Sequence, residues 1–143
     1  MTLEQVKQLS GEGCNCAQIV FASAAEEIGV DFNTAIKTAT CFGGGAANNG
    51  EICGAVSGAL MAIGAKYGNC APGDVQAKEI AIRKANEFMD AFKDEYESVR
   101  CKDILGYDFS VPKEAAQIKR QGITAQTCPY LIAFATELLK EFL

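Results

Sequence analysis

The chain has 143 residues, 49% of them hydrophobic and 22% charged, with 3 prolines and a net charge of −5. That composition suits one domain with a real core, residues 1–143, and excludes a disordered or linker-rich chain. The acidic balance, with no basic run, argues against nucleic acid or an anionic membrane surface as the partner.

The elements read as helical throughout. A short helix is predicted over Thr2 to Leu9, ended by the Gly11/Gly13 loop. A second covers Asn15 to Ile28, with Ile19, Val20, Ala24 and Ile28 at helical spacing and Gly29 as its stop. A third, Asn33 to Thr40, takes Asn33 as its cap. A glycine loop follows, Gly43 to Gly50 in "GGGAANNG".

The fourth helix is predicted from Glu51 to Gly68, with Ile52, Val56, Ala59, Leu60, Ile63 and Tyr67 as its apolar stripe. Small residues Gly54, Ala55, Ser57, Gly58 and Ala62 crowd its first half. Glycine inside a helix costs about 1 kcal/mol against alanine, so this segment calls for close packing on a neighbour, including a second copy of the chain. The fifth helix, Asp74 to Tyr96, is amphipathic. Ser98 is predicted to cap a short helix through Leu105, Lys113 to Gln121 forms another, and the last runs from Pro129 to Phe142. No alternating β segment longer than about four residues occurs. The expectation is an all-α fold, a compact multi-helix bundle with a glycine-rich loop before its central helix.

The N-terminus lacks the apolar region of a secretory signal. The longest uncharged apolar run, Ile52 to Ala65, falls short of the roughly 20 residues a bilayer takes. No membrane association and a cytoplasmic location are expected.

Cysteine numbers 7 and histidine 0. So many thiols in a chain of this kind point to metal binding or redox chemistry before structural disulfides. The lack of histidine excludes a Ser-His-Asp triad, a Cys-His protease, a His-type zinc hydrolase and a His-ligated haem built from this chain alone. No C-x-x-C occurs, which excludes a thioredoxin-type site and a zinc ribbon.

Placed on the predicted helices, Cys16, Cys53, Cys101 and Cys128 each fall at an N-terminus, with Cys128 as the cap before Pro129. Free N–H groups and the positive end of a helix favour thiolate over thiol. These four are therefore expected to converge with lowered pKa values. Cys41 and Cys70 fall outside this set, and so does Cys14, which the two-residue offset turns away from Cys16.

The run Cys53-Gly54-Ala55-Val56-Ser57-Gly58 is a C-G-A-x-x-G core. With Cys16 upstream in "NCAQ", Cys101 in "CKDILG", Cys128 near the C-terminal helix and "FGGG" before the core, the chain resembles the C_GCAxxG_C_C family of redox-active proteins. The resemblance implies a shared role for those four cysteines and names no substrate.

The glycine loop fits no nucleotide motif, and no lysine lies between Phe42 and Ala65. Gly44 and Gly45 permit positive φ and let backbone N–H groups approach a negative centre. Gly54 and Ala55 leave little bulk beside the Cys53 sulfur. Four residues, Gly44, Gly45, Gly54 and Ala55, are thus expected to shape a site whose chemistry rests on Cys16, Cys53, Cys101 and Cys128. Three functions compete. The first is an iron–sulfur cluster held by the four thiolates for electron transfer with an unknown redox partner. The second is a metal-free thiol–disulfide couple. The third is a four-thiolate module binding zinc or a soft metal such as copper.

Overall fold

The computed structural model covers residues 1–143. It holds nine α-helices and no strands. They are α1 (Leu3–Gly11), α2 (Cys16–Ser23), α3 (Ala25–Ile28), α4 (Phe32–Thr38), α5 (Gly54–Tyr67), α6 (Val75–Tyr96), α7 (Cys101–Leu105), α8 (Pro112–Gln121) and α9 (Ile123–Lys140). A 3-10 turn, Thr40–Phe42, leads from α4 towards the glycine loop. No helix is long and apolar enough to cross a membrane.

Several boundaries differ from the sequence reading. The predicted second helix breaks at Ala24 into α2 and α3. The Ser23 hydroxyl donates to the Val20 carbonyl oxygen at 2.7 Å, a side-chain bond that competes with the helical ladder. Asp31, not Asn33, caps α4, its carboxylate accepting from the Thr34 N–H at 2.9 Å. The predicted fourth helix begins three residues late, at Gly54, because Ile52 pairs instead with Arg100 in an isolated antiparallel bridge. The last helix begins six residues early, at Ile123, and carries Pro129 inside it. Pro129 and the nearby Leu131 and Ile132 are buried, so packing holds a helix that the proline alone would interrupt.

The core is a cluster of 23 buried residues centred on α2, α5, α6 and α9. Phe88 and Phe92 of α6 are fully enclosed, and Phe92 meets Tyr96 and Phe134 at ring separations of 5.0 and 6.1 Å. The closest helix pairing joins α2 to α5. A β-carbon on Gly58 would lie 2.7 Å from the Ala17 carbonyl oxygen and 3.1 Å from Val20 Cβ. One on Gly54 would lie 3.0 Å from both Ala17 N and Cys16 Cβ. Gly54 and Gly58 of α5 therefore pack on α2 of the same chain.

A second, small apolar cluster holds Cys101, Leu105 and Ile118. Cys128 packs against both clusters. The junction between them is where the cysteines meet.

Candidate functional site

Each cysteine owes its position to a local device. Asn15 caps α2 by accepting from the Gln18 N–H at 3.0 Å, while Gln18 Oε1 accepts from the Asn15 N–H at 2.9 Å. The same two side chains reach out of the helix. Asn15 Nδ2 donates to the Thr40 carbonyl at 2.9 Å, and Gln18 Nε2 donates to the Ile36 carbonyl at 3.0 Å. Cys16, the first residue of α2, is thereby tied to the segment that leads into the glycine loop. Cys53 is the residue before α5, and Cys101 opens α7. The Cys53 N–H donates to the Val99 carbonyl and the Cys101 N–H to the Glu51 carbonyl, both at 2.7 Å. Cys128 lies within α9, one turn beyond its start, and is not a cap.

All four line one cavity of about 550 Å³. Cys53 and Cys101 are buried, Cys16 and Cys128 half-buried. Gly44 and Gly54 form part of its wall; Gly45 and Ala55, also expected to shape it, are buried and do not line it. Lys7 is the one cationic side chain on the wall, whose remainder includes Ile104, Leu105, Phe109, Leu131 and Ile132.

Cys14 lines the same cavity, against the sequence expectation. It precedes α2, after Gly13 at φ +97°, so the helical offset that turned it away from Cys16 does not apply there. The remaining two, Cys41 and Cys70, are exposed and lie apart from the cavity.

The expectation of low thiol pKa values is corrected for Cys16, Cys53 and Cys101. The neighbouring Cys128 thiol, by hydrogen bonding, and then burial hold Cys16 well above the ordinary thiol value. Burial, then the Cys16 charge, pushes Cys53 up to about 12, although the Ala55 and Val56 N–H groups at the start of α5 pull the other way. Burial, then Cys53 and Cys16, pushes Cys101 up to about 12 as well. Desolvation and like-charge repulsion outweigh the helix N-termini.

The donor set is purely thiol: no histidine is present, and all seven cysteines are free. No three cysteine or carboxylate side chains converge on a point where they would hold a single metal ion.

A helical fold with five of its seven cysteines on one cavity defines a thiol-centred class of protein. The family model described as "Putative redox-active protein (C_GCAxxG_C_C)" matches residues 14–142, and the chain belongs to that family. Neither the curated proteins nor the solved structures gave a match.

Proposed function

We propose that the cavity is an electron-transfer centre in which Cys16, Cys53, Cys101 and Cys128 hold an iron–sulfur cluster. The observation that carries this reading is that four cysteines from four separate helical segments line one roomy cavity. A cluster spreads its thiolates over several irons and fills the space between them.

The surroundings suit that occupant. The Ala55 and Val56 N–H groups at the start of α5 favour negative charge on the Cys53 sulfur, the kind of backbone influence that tunes a cluster's potential. Gly54 leaves the sulfurs uncrowded, since a β-carbon there would press on Cys16 Cβ at 3.0 Å. The raised thiol pKa values mean that protons stay on the sulfurs until a cation replaces them, so loading releases protons and strengthens with pH. When bound, the cluster supplies one-electron transfer. The chain's own residues hold it by sulfur, wall it with Leu131, Ile132 and Phe109, and limit water access.

The test is a UV–visible spectrum with iron and sulfide analysis on anaerobically purified protein. Iron and sulfide in matching amounts, with absorbance bleached by dithionite, support the reading. Colourless protein free of both after anaerobic reconstitution refutes it.

One observation favours a second reading. The Cys16 and Cys128 thiols line the same cavity, and Cys128 is the largest influence holding the Cys16 thiol in its protonated form. As a metal-free couple they would lose two electrons and two protons to an oxidant and form one S–S bond. Peptide mapping after diamide treatment of metal-free protein tests this; a Cys16–Cys128 linkage supports it, and persistence of both free thiols counts against it.

A further inference from the structure

The loop before α5 contains one turn of left-handed backbone. Gly44, Gly45, Ala46, Ala47 and Asn48 have φ of 64°, 78°, 67°, 51° and 61° in unbroken succession. Two alanines in this region are unusual, because Cβ crowds the following carbonyl. Its polar backbone groups are unevenly used. The carbonyls of Gly43, Gly44 and Gly45 accept from the N–H groups of Asn48, Gly50 and Glu51 at 3.1, 3.0 and 2.8 Å. Ala46 O accepts from the Asn49 N–H at 3.1 Å. The N–H groups of Gly43, Gly44, Gly45 and Ala46 donate to no acceptor in the chain.

Gly43 and Gly45 are buried. Buried backbone N–H groups without a partner are rare, and each calls for an ion, a ligand or a water. Their position narrows the choice. Gly44 forms part of the cavity wall with Cys16, Cys53 and Gly54. Gly43 lies so close to the α2 cap that a β-carbon there would meet Asn15 Nδ2 at 2.6 Å. The adjoining Phe42 carbonyl would stand 3.1 Å from a β-carbon on Gly54. Gly43 and Gly44 thus sit beside the residues that present the Cys16 and Cys53 sulfurs, and the free donors of Gly45 and Ala46 follow them directly in the turn. Successive N–H groups in such a turn make an anion-binding concavity.

We propose that the left-handed turn Gly44–Asn48, together with Gly43, is an amide cradle that donates hydrogen bonds to the anionic redox centre held by Cys16 and Cys53. This rests on the cluster reading. The donors are neutral and fixed by the backbone, and no lysine or arginine lies between Phe42 and Ala65. Such donors suit a soft, spread negative charge at the thiol end of the cavity. They position the centre and stabilise its more negative, reduced form.

The experiment compares hydrogen–deuterium exchange, read by peptide mass spectrometry, in metal-free protein and in protein anaerobically reconstituted with iron and sulfide. The amides of Gly43 to Ala46 exchange freely in the metal-free protein and slow by about tenfold or more on loading. The remote loop Ala71 to Gly73 keeps its rate. Normal iron and sulfide uptake without added protection at Gly43 to Ala46, or with protection no greater than at Ala71 to Gly73, overturns the cradle and leaves the cluster standing. Failure to take up iron and sulfide overturns the cluster reading itself.

Discussion

Ile52 and Arg100 form the chain's isolated β-bridge, and the residue after each is a cysteine of the cavity. Two backbone hydrogen bonds of 2.7 Å flank the pair, from the Cys53 and Cys101 N–H groups. Sulfurs that enter from α5 and α7 are thus fixed relative to one another by main chain. The Arg100 guanidinium also meets the Glu51 carboxylate at 2.9 Å, with both side chains well exposed.

Because backbone carries the register, that ion pair is dispensable. Arg100→Ala and Glu51→Ala each lower stability by less than about 1 kcal/mol, the range of exposed pairs. A double-mutant cycle by urea unfolding, repeated at high salt, checks this. A loss of several kcal/mol, or loss of the redox centre, contradicts it.

Contact between α2 and α5 sets the spacing of Cys16 from Cys53. Gly58→Ala forces a β-carbon to within 2.7 Å of the Ala17 carbonyl, backbone that has little room to retreat. It lowers stability by about 1–3 kcal/mol through overpacking. Gly64→Ala, on the same helix with nothing within 4 Å of its β-carbon, raises stability by about 0.5–1 kcal/mol. Opposite signs in denaturant unfolding are the expected outcome.

The left-handed turn responds in the same two directions. Ala47→Gly relieves a side chain held at φ 51° and stabilises by about 1 kcal/mol. Gly45→Ala places a β-carbon against Glu51 N at a φ of 78° and destabilises. Thermal midpoints of the two variants, measured side by side, check the pair.

Alkaline pH unfolds the metal-free protein through its buried thiols. Cys53 and Cys101 are pushed from an ordinary value of 9.0 to about 12 in the fold. Below about pH 9 both folded and unfolded chains keep these protons, so the thiols add no pH dependence. Above it the unfolded chain releases them first, and stability falls until about pH 12. Urea midpoints between about pH 8 and 11 fall with pH in the wild type and fall less in Cys53→Ala and Cys101→Ala.

Much of this was legible in the sequence, and what was not has physical causes. Gly29 closes α3 at φ 68°, and Asp74 opens α6, both as read from local chemistry. The start of α9 was not legible, because burial of Pro129 within the core overrides its preference for the first helical turn. The place of Cys16, Cys53, Cys101 and Cys128 on one cavity was expected from helix N-termini, a placement that the structure keeps for Cys16, Cys53 and Cys101 but not for Cys128. The raised pKa values of Cys16, Cys53 and Cys101 were not legible, because a sequence shows a helix N-terminus but not the desolvation that opposes it. Cys14 escaped because its direction depends on the turn at Gly13, not on a helical wheel.

The most direct test of the four-cysteine centre is iron and sulfide content per chain in single Cys→Ser variants, each purified anaerobically and reconstituted identically. Cys16→Ser, Cys53→Ser, Cys101→Ser and Cys128→Ser lose most of both elements and the visible absorbance, while Cys41→Ser and Cys70→Ser match the wild type. Equal content in all six variants, or losses confined to Cys41→Ser or Cys70→Ser, would contradict the account.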